Sequence, residues 1–256
     1  MGTSAAPEMR FTDKVAIVTG SGSGIGRSIA RQVHAEGGHV ALLDVDGPAL
    51  SRLQHELGSE RASAHQLDVR DGQRIDATVD EVVERLGGVD VLFNNAGVTD
   101  RFTSALDTTD EIWESVLGIN LVGPFRLARR VLPSMLARGG GAIVNTGSVA
   151  SVVAGAGGTA YTVSKHGILG LTKALAMEYG SRGIRVNAVL PGAIRTAMTS
   201  SEDAVVEGAD DAIAATPAGR WAEPEEVARI AVMLASDDAG FVYGSAYLVD
   251  GGWSLP

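Results

Sequence analysis

Seven short runs of apolar and β-branched residues, separated by longer stretches with helical spacing, constrain this 256-residue chain more than any other feature. The strand candidates are Val15–Thr19, His39–Asp44, Ala62–Gln66, Val89–Asn94, Ala142–Thr146, Arg185–Leu190 and Ala246–Val249. Helical patterns occupy Ile25–Glu36, Pro48–Leu57, Gln73–Leu86, Thr109–Ala137, Thr159–Gly180 and Pro224–Ala235. Gly37-Gly38, Gly87-Gly88 and Gly139-Gly140-Gly141 stop three of them. Most of the strand candidates are continuously apolar, as strands buried on both faces are. The βαβα rhythm predicts an α/β domain with a parallel sheet sandwiched between helices. No solenoid repeat and no low-complexity linker interrupts it, so residues 10–256 read as a single domain behind a loose polar tail at 1–9.

Composition narrows the function classes. A net charge of −10 and the lack of a Lys/Arg cluster speak against nucleic acid as a partner. Cysteine is absent, which rules out disulfides and thiolate metal sites and is compatible with a cytoplasmic location. No apolar run approaches the roughly 18 residues of a membrane span, and Met1–Glu8 holds no hydrophobic signal region.

The first strand candidate runs into Thr19-Gly20-Ser21-Gly22-Ser23-Gly24-Ile25-Gly26, which opens a helix. Gly20 suits a sharp turn, and Gly24 and Gly26 let backbone approach a phosphate and let helix pack on strand. Gly20, Ser23, Gly24, Ile25 and Gly26 are therefore the expected cradle of a dinucleotide pyrophosphate at a helix N-terminus. The spacing is Gly-x-x-x-Gly-x-Gly, not Gly-x-Gly-x-x-Gly. Asp44 ends the second strand about 20 residues after these glycines, where a carboxylate binds both ribose hydroxyls and repels a 2′-phosphate. Val45 and Asp46 follow it and Ser21 brings no charge, so NAD is expected over NADP. Asp68-Val69 is placed to meet the adenine, and Asn95-Ala96-Gly97 leaves room for the cofactor, with Asn94 bracing backbone.

Tyr161 and Lys165 stand four apart on one helical face. A phenol titrates near 10, too high for efficient proton exchange at neutrality. An ammonium beside it favours the phenolate and lowers that value. Ser148, after the fifth strand, can hold a carbonyl or alcohol oxygen beside Tyr161. Asn120 can hold a water that links Lys165 to solvent. One Tyr-x-x-x-Lys means little, but this conjunction in this order points to hydride transfer without a metal.

With these residues the chain resembles the short-chain dehydrogenase/reductase family from about Phe11 to Pro256. The matching elements are Thr19–Gly26, Asp68-Val69, Asn94–Gly97, Asn120, Ser148, Tyr161/Lys165, Pro191-Gly192 and Asp250-Gly251-Gly252. The resemblance implies a Rossmann-like domain with a seven-stranded parallel sheet. It implies a catalytic tetrad of Asn120, Ser148, Tyr161 and Lys165, with Tyr161 as the acid/base. It also implies that Pro191-Gly192 begins the loop over the nicotinamide, whose carboxamide Ile194 and Thr196 contact. Tyr161 and Lys165 then serve the cofactor ribose as well.

The expected reaction moves a hydride between NAD(H) and a small secondary alcohol or ketone, Tyr161 taking or giving the hydroxyl proton. The alternative is an NADPH-dependent 3-oxoacyl-(acyl-carrier-protein) reductase, with Arg129, Arg130, Arg138 and Arg182 available to an acidic carrier. Val98, Thr99, Val149, Ala150, Val152, Val153, Ala154 and Ala193 are expected to line or border the substrate pocket. Thr196–Gly219 is expected to form a flap over it, bearing Glu202, Asp203, Glu207, Asp210 and Asp211 as solvated charges. The family expectation for assembly is a homotetramer built on the two long helices and on the apolar tail Ala246–Pro256.

Overall fold

The computed structural model describes residues 9–200 and 209–255. The N-terminal tail up to Glu8, the flap acids Glu202, Asp203 and Glu207, and Pro256 lie outside the described residues. Seven strands form one parallel sheet: β1 Val15–Thr19, β2 His39–Asp44, β3 Ala62–Gln66, β4 Val91–Asn94, β5 Gly141–Thr146, β6 Ile184–Pro191 and β7 Ala246–Val249. Their order is β3-β2-β1-β4-β5-β6-β7, with every pair parallel. The chain thus winds outward from β1 in one direction, returns, and winds outward from β4 in the other. The reversal lies between β1 and β4, where Ala16, Ile17 and Val18 pair with Val91, Leu92 and Phe93. This is the Rossmann-like doubly wound arrangement, and a crevice opens above such a reversal.

Strand alternation feeds two cores. Ala16 and Val18 of β1 face Ile29 and Val33 of helix α1 (Gly24–Ala35), Leu50 and Leu53 of α2 (Gly47–Leu57) and Val232 of the last long helix, Pro224–Ala235. Val15 and Ile17 face the other way, toward Ile75 and Val79 of α3 (Gly72–Leu86) and Leu127, Val131 and Met135 near β5. Each fully buried aliphatic side chain contributes about 1.5–3 kcal/mol, so the sheet is stabilised from both faces.

Two expectations change in the structure. The segment Thr109–Ala137 is not one regular helix. It divides into α4 (Asp110–Leu117), a π-helical turn (Gly118–Val122) and α5 (Gly123–Ala137). Pro124 has no N–H to offer the Asn120 carbonyl four residues back, so a regular α-helix cannot continue through this point. Nor are all seven strands buried. β7 is exposed along Ala246–Leu248, and β3 is only partly covered, because both are sheet edges.

The second half of the sheet is locked at its rear by Arg185 on β6. Its guanidinium is buried and donates to the carbonyls of Leu234, Ala235, Ser236 and Ala239 at 2.7–3.1 Å. These close the C-terminal end of α9 (Pro224–Ala235), labelled after α6 (Thr159–Tyr179), α7 (Ala197–Ser200) and α8 (Ala209–Ala214). Arg185→Met leaves those carbonyls without donors and is expected to lower stability by about 3 kcal/mol or more, measured by urea unfolding.

Candidate active site

A cleft of about 420 Å3 runs along the carboxyl ends of the strands, over the β1/β4 reversal. Gly20, Ser23, Gly24, Ile25, Asp44, Asp68, Val69, Asn95, Ala96, Gly97, Ser148, Tyr161, Lys165, Pro191, Gly192, Ile194 and Thr196 all line it. Two of the expected catalytic and cofactor-binding residues do not. Gly26 packs beneath the loop, and Asn120 is buried behind it.

At the glycine end the backbone explains the residue types. Gly20 and Gly24 take φ of +65° and +50°, a region that side chains resist. A Cβ on Gly26 would collide with the Gly20 carbonyl and the Asn95 amide, so only glycine lets α1 approach the loop this closely. Ser23 is the N-cap of α1 and its hydroxyl makes no capping bond, which leaves the first turn open to the cleft. Asp44 is turned back onto the loop. Its Oδ2 accepts from Gly22 N at 2.9 Å and its Oδ1 from Asp46 N at 3.0 Å. Asp68 reaches the cleft already paired with Arg70 at 2.6 Å, and this pair holds its carboxyl below the usual range. The sequence reading passed over Arg70, which also lines the cleft.

Asn94 and Asn95 both brace the sheet. Asn94 Nδ2 donates to Asn145 Oδ1 at 2.9 Å and to Pro124 O at 3.3 Å. Asn145 in turn donates to Thr172 on α6 at 2.9 Å. Asn95 N donates to Thr19 Oγ1 at 2.9 Å, and its Nδ2 donates to the Thr19 and Gly20 carbonyls. Asn95 therefore fixes the β1 end as well as bordering the cleft. Nothing in the sequence separated that role from cofactor contact.

At the other end stand Ser148, Tyr161 and Lys165. Ser148 begins a short 3₁₀ turn, Val149–Ser151, and its Oγ accepts from Ala150 N at 3.1 Å. Tyr161 sits in the first turn of α6, half-buried and facing the cleft. Burial pushes its pKa above the ordinary phenol value, while the Ser148 hydroxyl, its hydrogen-bond partner, works the other way. Lys165 is 4% exposed; its Nζ donates to Thr146 O at 2.9 Å and lies 5.6 Å from the Tyr161 ring centroid. Burial pulls its own pKa down to about 8. The expectation that Lys165 draws the phenol pKa below its ordinary value is thus not met. The ammonium is directed at a carbonyl, and burial drives both groups toward their neutral forms.

Asn120 is wholly engaged. Its Oδ1 accepts from Val98 N at 2.8 Å, and its Nδ2 donates to Val98 O at 2.9 Å and to Ser164 Oγ at 3.1 Å. Ser164 Oγ then donates to Tyr161 O at 2.7 Å. Of the expected pocket residues, Val98 lines the cleft, whereas Val149 and Ala150 are buried in their turn and Val152 is exposed. Ile119, Met198 and Thr199 join the lining, brought there by the π-turn and by α7. Asp210 accepts from Trp221 Nε1 at 2.8 Å, so this flap acid is a structural partner rather than a purely solvated charge. No group of three or more His, Asp or Glu among the described residues is placed to hold a metal ion.

Comparison with known proteins identifies the family. A family model described as enoyl-(acyl carrier protein) reductase matches residues 20–254. The chain is 37% identical over 247 residues to cyclohexanol dehydrogenase from an Acinetobacter species, covering 96% of each. It is 38% identical to the 3-oxoacyl-[acyl-carrier-protein] reductase FabG of Thermotoga maritima, over 95% of this chain and 99% of that protein. The crystal structure of levodione reductase superposes with a TM-score of 0.90 at 35% identity, covering 96% of this chain and all of that one. With its fold, its glycine loop and its Ser148–Tyr161–Lys165 cluster, the chain belongs to the short-chain dehydrogenase/reductase family and is an oxidoreductase acting on CH–OH groups.

Proposed function

We propose that this enzyme transfers a hydride between NAD(H) and a small secondary alcohol or ketone, with Tyr161 as acid/base. One observation carries the reading: a single cleft joins the Ser148–Tyr161 pair and buried Lys165 at one end to Asp44, folded onto the glycine loop, at the other. The lining suits a dinucleotide, since Gly20, Gly24 and Gly97 bring backbone and no side chain to the cleft. Gly20, Ser23, Gly24 and Ile25 would hold its pyrophosphate, with Gly26 beneath them, and Asp44 the adenosine ribose. Asp68 and Val69 would flank the adenine, and Asn95, Ala96 and Gly97 the middle of the cofactor. Tyr161 and Lys165 would meet the second ribose, and Pro191, Gly192, Ile194 and Thr196 the nicotinamide. When bound, the nicotinamide supplies or accepts the hydride.

The chain's own residues handle the proton. Ser148 holds the substrate oxygen, and Tyr161 gives its phenol proton in reduction or takes the hydroxyl proton in oxidation. Lys165 relays protons to a water. Both polar ends of the Asn120 side chain are engaged with Val98 and Ser164, which ties this residue to the β4 loop and to α6. The second reading, an NADPH-dependent 3-oxoacyl carrier-protein reductase, draws on the similarity to FabG. The four arginines offered to a carrier do not favour it. Arg130 pairs with Asp76 and Asp80, and Arg138 with Asp90. Arg129 and Arg182 lie over the Phe125 and Tyr179 rings.

No helix among the described residues is long and apolar enough to cross a membrane, and a cytoplasmic location suits the proposed cofactor. The proposed assembly is a homotetramer. Its support is two uncovered apolar areas: Trp113, Val122, Phe125 and Val163 on α4 to α6, and Phe241, Tyr247, Leu248, Trp253 and Leu255 around β7.

Tyr161→Phe is expected to lower kcat by about 100-fold or more with NADH binding intact, measured by steady-state kinetics and fluorescence titration. Asp44→Ala is expected to weaken NADH by about 10- to 100-fold, the equivalent of one charge-assisted hydrogen bond, and to relax discrimination against NADPH; an unchanged ratio of the two dissociation constants removes the NAD assignment. Because burial holds the phenol protonated, alcohol oxidation should gain rate as the pH rises and ketone reduction should lose it, a sign that paired pH profiles read directly. Leu248→Asp should reduce the solution mass by light scattering, if β7 is an assembly face.

A further inference from the structure

The loop after β4 holds a buried carboxylate that the reaction as described does not use. Asp100 is 4% exposed. Its Oδ1 accepts from Gly158 N at 2.9 Å and its Oδ2 from Tyr161 N at 2.8 Å. These amides open α6. The N-cap of that helix is Gly158, which has no side chain with which to cap. The oxygen that Ser, Thr, Asp or Asn ordinarily provides from the N-cap position comes here from a residue 58 positions earlier. A carboxylate at that point also faces the positive end of the helix dipole.

The surrounding loop is shaped to deliver it. Thr103 N and Thr103 Oγ1 both donate to the Asp100 carbonyl, and Thr159 N donates to Thr103 O at 3.2 Å. Arg101 and Phe102 adopt φ of +53° and +58°, uncommon for residues with a Cβ and a mark of a turn held by its surroundings. A Cβ on Gly158 would lie 2.6 Å from Asp100 Oδ2 and from Thr103 N, so glycine is what allows loop and helix to close. Two residues before Asp100, Val98 is gripped by Asn120 through both of its main-chain groups. Val98 to Asp100 is thus a short strap, tied to Asn120 at one end and to the amide of Tyr161 at the other.

We propose that Asp100 is a positioning residue for the proton transfer: it anchors the backbone of Tyr161 in the cleft and is the fixed negative charge against which the phenolate forms. The proposal rests on the reading of Tyr161 as acid/base. The groups around that phenol are Lys165 on its own helix, the Ser148 hydroxyl from the turn after β5, and Asp100 from the loop after β4. His166, also on α6, is turned to the Thr162 carbonyl on the exposed side. The charge on Asp100 favours the protonated phenol, so its removal stabilises the phenolate.

The test compares Asp100→Asn with wild type in NAD-dependent oxidation of a probe secondary alcohol such as cyclohexanol, following kcat against pH and NADH affinity by fluorescence. The expected result is a tenfold or larger loss of kcat, an NADH dissociation constant within about twofold of wild type, and an acidic limb displaced to lower pH. A residue that merely stabilises the loop would not move that limb. An unmoved limb, with or without a loss of kcat, overturns the proposal. Asp100→Ser is the second variant and serves if Asp100→Asn does not fold. It removes the charge and leaves a hydroxyl near the helix amides, so the limb should move in the same direction. Tyr161→Phe, assayed alongside, separates the two readings. Activity surviving in Tyr161→Phe removes Tyr161 as acid/base, whereas an inactive Tyr161→Phe beside an unshifted Asp100→Asn removes only Asp100.

Discussion

Parallel pairing of β1 with β4 is the constraint on which the rest of this structure depends. It joins the two halves of the sheet at the point where the winding direction reverses. Helices leave that point on opposite faces, so a crevice opens above it with no side chain assigned to fill it. Asn95 is the clamp. Its amide and side chain bind Thr19 and Gly20 from across the junction, and Gly26 sits so close to the Gly20 carbonyl that no larger residue fits. The glycine loop is therefore shaped by its own glycines and by the Asn95 clamp from the end of β4 together.

The chemical end is assembled by a second set of ties that converge on α6. Asn145 reaches Thr172, Asn120 reaches Ser164, and Asp100 reaches the amides at the start of the helix. Lys165 is buried against the Thr146 carbonyl. Burial lowers the proton affinity of this ammonium, while the Thr146 carbonyl and the Tyr161 ring hold it in place. The phenol beside it is held protonated for the same reason, which suits an exchange in which one residue gives and takes a proton.

Much of this was legible in the residues. Strand and helix order followed from apolar periodicity because a strand buried on both faces carries few polar side chains, and those it has, such as Asn94, Asn145 and Arg185, need partners. The boundaries of β1, β2, β3 and β7 agree with those read from the sequence to the residue. Gly20, Gly24 and Gly26 pointed to the loop because they follow a strand, open a helix and stand in order with the residues of the chemical end. The break in Thr109–Ala137 was less visible. Its cause, Pro124, was present in the sequence, but a proline also suits the first turn of a new helix.

Residue types and spacings by themselves determined the alternation of strands and helices, the dinucleotide-type glycine loop, and a Tyr-Lys pair on one helical face downstream of a serine. Those properties are local, and a helix or a strand end expresses them wherever it lies. Tertiary structure decided what depends on distance across the chain. It sent the Asn120 side chain to Val98 and Ser164 and turned Lys165 to a carbonyl. It placed Asp100 against Tyr161, 61 residues away. No periodicity encodes such contacts, because they exist only after the β4 loop and α6 have been packed on the same edge of the sheet.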